Sequence, residues 1–167
     1  MIYRSSLFSC LIFLLFSCQE KVQNSTIKPE VLDIEKVNEH LIEAEELLVL
    51  LNHENIKIVD FRKKEEYLKG HVPNALNVNR SHIENADYAY KGMMADKKNL
   101  QILLRNLGIE NDDIVVVYDD KGSSDAARFW WVMKTNNFDR VKLLNGGWSA
   151  WKAIDGTISK NNAVMKP

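Results

Sequence analysis

The sequence predicts an α/β domain: one central, mostly parallel sheet with helices on both faces. Three observations carry that expectation. Short apolar runs occur at "IKIVDF" (56–61), which is rich in β-branched residues, at "DIVVVYD" (113–119) and at "VKLLN" (141–145), and each reads as a strand. Stretches with three- and four-residue apolar spacing alternate with them and read as helices. The middle run has no polar residue at alternate positions, so it is expected to be the central strand, covered on both faces.

The elements follow in chain order. "LIEAEELLVLLN" (41–52) repeats Leu41, Ala44, Leu47, Leu48 and Leu51 at helical spacing. After the strand "IKIVDF", the polar stretch "RKKEEYLKG" reads as a short helix ending at Gly70. "HVPNALNV" (71–78) gives a turn and a second strand. "DKKNLQILLRNLG" (96–108) is an amphipathic helix stopped by Gly108. A long helix follows the central strand, then "VKLLN", then "GGWSAWKAIDG" (146–156) as a tight turn and a helix. Gly146 and Gly147 permit that sharp turn. Trp148 and Trp151, three apart, share a helix face, whereas adjacent Trp130 and Trp131 point to different faces. One of that second pair is expected in the core and the other over a neighbour.

The chain has 167 residues and 46% hydrophobic content, enough for one packed domain. With 22 basic and 23 acidic residues it lacks the basic excess of a nucleic-acid binder, and no nucleic-acid partner is expected. The first segment is set apart from the fold. "MIYRSSLFSCLIFLLFSC" has Arg4 and then an apolar run over 7–16, short of the roughly 20 residues that span a bilayer. It reads as a signal peptide of lipoprotein type over 1–17, cut before Cys18, which would carry the lipid. Residues 18–36 are polar and read as a tether. The domain is expected over 37–157, with 158–167 as a tail or the start of an inter-module linker. The expected location is the bacterial cell envelope, lipid-anchored on the periplasmic or outer-membrane side, with secretion as the alternative. The only cysteines are Cys10 and Cys18, so no thiol, disulfide or cysteine-rich metal site is expected in the domain, and no metal or cofactor.

The stretch "IVVVYDDKGSSDAARFWW" (114–131) opens a strand into a Gly-containing loop and a helix N-terminus, a place suited to anions. The residue at the strand end is Asp119, followed by Asp120, Lys121, Gly122, Ser123 and Ser124. Four segments in order, "IVDFRKKEEYLKGHVPNALNV", "LLRNLGIENDDIVVVYDDKG", "AARFWWVMK" and "VKLLNGGWSAW", together resemble the rhodanese (sulfurtransferase) domain. "YKGMM" (90–94), "AARFWW" and "LLNGGW" look most like the N-terminal module of tandem thiosulfate and 3-mercaptopyruvate sulfurtransferases.

The resemblance implies a single rhodanese-like domain whose active loop begins with the nucleophilic cysteine that would carry sulfur as a persulfide. Here Asp119 holds that place, Asp120 falls where Arg is frequent, and Ser124 where a second Arg occurs. A carboxylate cannot become a persulfide, and paired acids oppose an anionic donor. Asp119 is therefore expected to cap the loop by accepting its N–H groups. A haloacid-dehalogenase-like phosphatase, with an Asp nucleophile and Mg²⁺, is the rival reading; its second Asp would lie two residues on, where Lys121 stands.

In the family, Asp60 and Arg62 brace a turn. His71 is expected to be structural there, or to face the cleft between modules together with Tyr90, Met93 and Met94. Arg128 pairs with Asp125 or Asp119, or lies on the surface. Two functions follow. The chain is the N-terminal module of a tandem sulfurtransferase, inactive alone, with a second rhodanese module as partner and a small sulfur donor used only with it. Alternatively it is a complete, non-catalytic binding module at the envelope.

Overall fold

The computed structural model describes residues 38–161. The expected signal peptide, Cys18 and the tether lie outside the described residues. Among the described residues, five parallel strands form one sheet in the order β1-β5-β4-β2-β3. These are β1 (Leu41–Ile42), β2 (Ile56–Asp60), β3 (Leu76–Asn77), β4 (Ile114–Tyr118) and β5 (Val141–Leu144). Helices α1 (Ala44–Leu50), α2 (Lys64–Lys69), α3 (Lys97–Asn106), α4 (Ser124–Thr135) and α5 (Gly147–Ala153) cover it. The α/β expectation holds, and the sheet is wholly parallel.

The alternation of side chains along each strand sorts the core into two layers. Ile58, Val116 and Tyr118 point toward α1, α2 and α5, packing with Leu47, Tyr67 and Trp151. Val59, Val115 and Val117 point the other way, toward Leu100 of α3 and Phe129, Val132 and Met133 of α4. All five residues of β4 are buried, as a strand with apolar residues at successive positions requires. Trp151 is wholly buried and Trp148 packs against the same layer. Trp130 packs partly into the second layer, while Trp131 is exposed.

The structure departs from the sequence reading at two places. Leu41 and Ile42, read as the start of a helix, form edge strand β1 against Leu143 and Leu144. A two-residue strand is too short to show alternation, and its apolar pair happens to fit the helical period. The helix starts only after Glu43, whose N–H is taken by the Glu46 carboxylate. A 3-10 turn over Arg80–Ile83 is new, capped by Asn79. Residues 157–159 lie against the domain. Ser159 makes an antiparallel bridge with His71, and the Trp151 indole N–H donates to the Thr157 carbonyl.

Candidate functional site

The carboxyl ends of β2 and β4 lie side by side, Asp60 in register with Tyr118, and they place the two chain segments that build the site. From β4 the chain enters the loop 119–123. Gly122 and Ser123 both take left-handed conformations, with φ of 67° and 66°. Successive turns of this kind aim backbone N–H groups inward as an anion cradle.

Asp119 occupies that cradle. Its side chain is buried, and its Oδ1 accepts from the N–H of Lys121 and of Ser123, both at 2.9 Å. Its Oδ2 accepts from the N–H of Asp125 at 2.8 Å and of Ala126 at 2.9 Å. The last two donors are orphan amides of the first turn of α4, and the N-cap residue Ser123 makes no side-chain cap bond. Asp119 thus supplies the cap from four residues upstream. Both oxygens are fully engaged, so neither is aimed outward as a nucleophile or metal ligand. Asp120 beside it is exposed to solvent. The back of the loop is closed by α5: the Trp148 N–H donates to the Asp119 carbonyl at 2.8 Å. A Cβ on Gly147, whose φ is 55°, would lie 2.5 Å from that carbonyl oxygen, so only glycine permits the approach.

From β2 the chain delivers a buried ion pair beneath the loop. Arg62 donates through Nε to both Asp60 oxygens, at 3.0 and 3.1 Å, and through Nη2 to Oδ2 at 2.6 Å. The Tyr118 hydroxyl donates to Asp60 Oδ2 at 2.7 Å and accepts from the Val72 N–H. Burial, and next the Asp60 charge, push the Tyr118 phenol far above its ordinary range, so it remains a donor. Burial alone would lower the Arg62 pKa, but the hydrogen bonds and charge of Asp60 outweigh it and raise it. Trp148 lies with its ring 4.4 Å from the guanidinium. Asp60 and Arg62 brace this turn and do not face solvent.

A groove of about 700 Å³ opens between the loop, residues 61–66 and residues 79–81. Its rim is charged. Asp125 pairs with Lys121 at 3.0 Å and with Arg80 at 3.3 Å, and Arg80 also pairs with Glu84 at 2.6 Å. The Lys121 hydrogen bond, followed by Arg80, holds the Asp125 carboxyl below its ordinary value of 3.8. A depressed carboxylate adds stability above its unfolded pKa and loses it as pH falls through the folded one. Asp125→Asn is therefore expected to lower the urea midpoint modestly at pH 7 and to make no difference well below 3.8. An equal deficit at both pH values would contradict the ion-pair assignment.

Of the residues named from sequence, the structure brings loop 119–124 and the segment 90–94 to one side. Arg80 joins Asp125 to Glu84, which bridges Met94. Arg128, whose partner the sequence left open, donates to the Gly92 carbonyl at 2.7 Å and lies over the Trp131 ring. Tyr90 is 72% exposed and Met93 39%, and Tyr88 and Trp131 are also exposed, whereas Met94 packs partly into the core. His71 is separated from them. It is wholly buried in the layer of α1, α2 and α5 and stacked on Tyr67 at 3.7 Å. Arg80 and Tyr118 were missed. Arg80 sits in an irregular segment with no periodic signal, and Tyr118 reads from sequence as one more apolar strand residue.

The rhodanese-like domain family model matches residues 43–154. The thiosulfate sulfurtransferase of Azotobacter vinelandii is 31% identical over 120 residues, covering 72% of this chain and 44% of the relative. The 3-mercaptopyruvate sulfurtransferase of Escherichia coli K12 is 28% identical over 103 residues, covering 62% of this chain and 36% of the relative. The crystal structure of the 3-mercaptopyruvate sulfotransferase SseA from Escherichia coli superposes with a TM-score of 0.69 at 25% identity, over 78% of this chain and 54% of that one. The chain spans less than half the length of both curated relatives. On the family match and the shared fold, the chain belongs to the rhodanese-like domain family.

Proposed function

We propose that this domain is the non-catalytic module of a thiosulfate/3-mercaptopyruvate-type sulfurtransferase, the counterpart of its N-terminal module, and that another module supplies the sulfur-carrying cysteine. The observation that carries this reading is the Asp119 carboxylate seated on four loop amides. Where a persulfide would need those donors, the protein's own acid consumes them. An oxygen nucleophile cannot store sulfane sulfur, and no cysteine follows Cys18 in the sequence. The exposed side chains Tyr88, Tyr90, Met93 and Trp131 suit contact with a second rhodanese module, since aromatic residues and Met are favoured at the centre of interfaces. The purified chain is expected to release no thiocyanate above a protein-free blank when given cyanide with thiosulfate or 3-mercaptopyruvate. Turnover by the chain alone would overturn the reading.

The envelope location belongs to the same proposal. It rests on Arg4, the apolar run 7–16 and "LFSC" at 15–18, all in sequence outside the described residues. Among the described residues no helix is long and apolar enough to cross a membrane. Intact mass of detergent-extracted protein is expected to show an acylated N-terminal Cys18. A product retaining Met1, or cut elsewhere without lipid, would refute the anchor.

A further inference from the structure

His71 is wholly buried, yet both of its ring nitrogens face backbone carbonyls. Nδ1 lies 2.8 Å from the Tyr67 oxygen and Nε2 lies 2.9 Å from the Asn161 oxygen. A carbonyl only accepts. A neutral imidazole has one N–H, so one of the two contacts would set a lone pair against a lone pair. Only the doubly protonated ring donates to both.

The two partners differ in freedom. The Tyr67 carbonyl is fixed at the end of α2, where it also accepts the Gly70 N–H. Asn161 lies on an exposed strap, residues 157–161, that crosses the domain edge. The strap has two other anchors, the Trp151 indole on the Thr157 carbonyl and the paired backbone bonds of His71 with Ser159, both at 2.9 Å. Ile158 also lies against Gly70, where an added Cβ would come within 2.6 Å of it. Beyond Ser159 the His71 ring is the main tie, with the Ser159 hydroxyl making weaker bonds to Asn161 at 3.2 and 3.5 Å.

We propose that the end of this strap is a proton-dependent latch, held closed by the doubly protonated His71 ring and released at Asn161 when the ring becomes neutral. On deprotonation the remaining proton stays on Nδ1, because the helix holds the Tyr67 carbonyl in place. The bare Nε2 then repels the Asn161 oxygen, and the exposed end moves away. The closed state binds one more proton than the open state, so rising pH opens the latch. The groups around the ring set its charge balance. Tyr67 stacks on it with planes 6° apart and supplies a π face to a cation. Arg62 donates to the neighbouring Gly70 carbonyl but is matched by Asp60. Lys64 lies 4.7 Å from the Tyr67 ring centre, Lys160 is exposed on the strap, and the Tyr118 hydroxyl stays neutral while it accepts from Val72. The device is independent of the sulfur chemistry. It sets, by pH, how firmly Lys160 and Asn161 are held against the domain.

Hydrogen exchange of the full chain, corrected for intrinsic rates, tests it at about pH 5.5 and about pH 8, the span over which histidines titrate. Protection of the Asn161 amide is expected to fall at least about tenfold at the higher pH, while the Ser159 and β4 amides keep theirs. The imidazole nitrogen resonances of His71 are expected to show both nitrogens protonated at the lower pH. His71→Gln is expected to abolish the pH dependence of the strap. A ring that is neutral at both pH values, or strap protection that ignores pH in the unmodified chain, would overturn the proposal even if the variant failed to fold.

Discussion

Replacing Arg62 with Met is expected to cost the fold about 3–5 kcal/mol, the range for removing one partner of a buried ion pair. Asp60 is fully buried and Arg62 nearly so, and the guanidinium meets the carboxylate in a fork with its shortest contact at 2.6 Å. Without Arg62, Asp60 retains the Tyr118 hydroxyl and the backbone N–H of residue 62, too little for a carboxylate out of water. The Gly70 carbonyl would also lose its 2.7 Å donor. Arg62→Lys restores charge but not the fork, and is expected to recover only part of the loss. Combining Arg62→Met with Asp60→Asn is expected to be milder than the sum of the single variants, because the orphaned charge disappears. Urea titration of the four proteins gives the answer. A single-variant loss under about 1 kcal/mol would mean that water reaches the pair.

The second large effect is at the loop. Asp119→Ala is expected to destabilise the domain by about 2–4 kcal/mol, since it strips four amides of their acceptors at once. Asp119→Asn should do little better. Each carboxylate oxygen serves two N–H groups, and an amide nitrogen in place of either would face donors with a donor. Acetate or formate is expected to restore part of the stability of Asp119→Ala and none to the unmodified chain, because the cradle sits at the N-terminus of the 12-residue helix α4. Chloride at matched ionic strength is the control. Equal responses of the two proteins to acetate would mean that the loop collapses when the carboxylate is removed.

What the sequence by itself determined is the layered architecture and the place of the loop. The runs at 56–61, 113–119 and 141–145 read as strands between helical stretches, and the unbroken apolar stretch of the middle one marks it as covered on both faces. The substitution of Asp119 at a strand-to-helix junction was also visible, as was its capping role in outline, since an acid there has amides to accept from. Local chemistry of this kind is written in adjacent residues. Contacts between distant residues are not, and only the tertiary structure decided them. Strand β1 exists because β5 offers it an edge. Tyr118 and Arg62 become one network with Asp60 because β2 and β4 lie in register. Arg80 reaches Asp125 across 45 residues of sequence, and Asn161 returns to His71 across 90. His71, read as structural or as a candidate for the cleft, is buried under the strap, held by the Tyr67 carbonyl four residues before it and by the Asn161 carbonyl 90 residues after it, and only the second of these ties is hidden from the sequence.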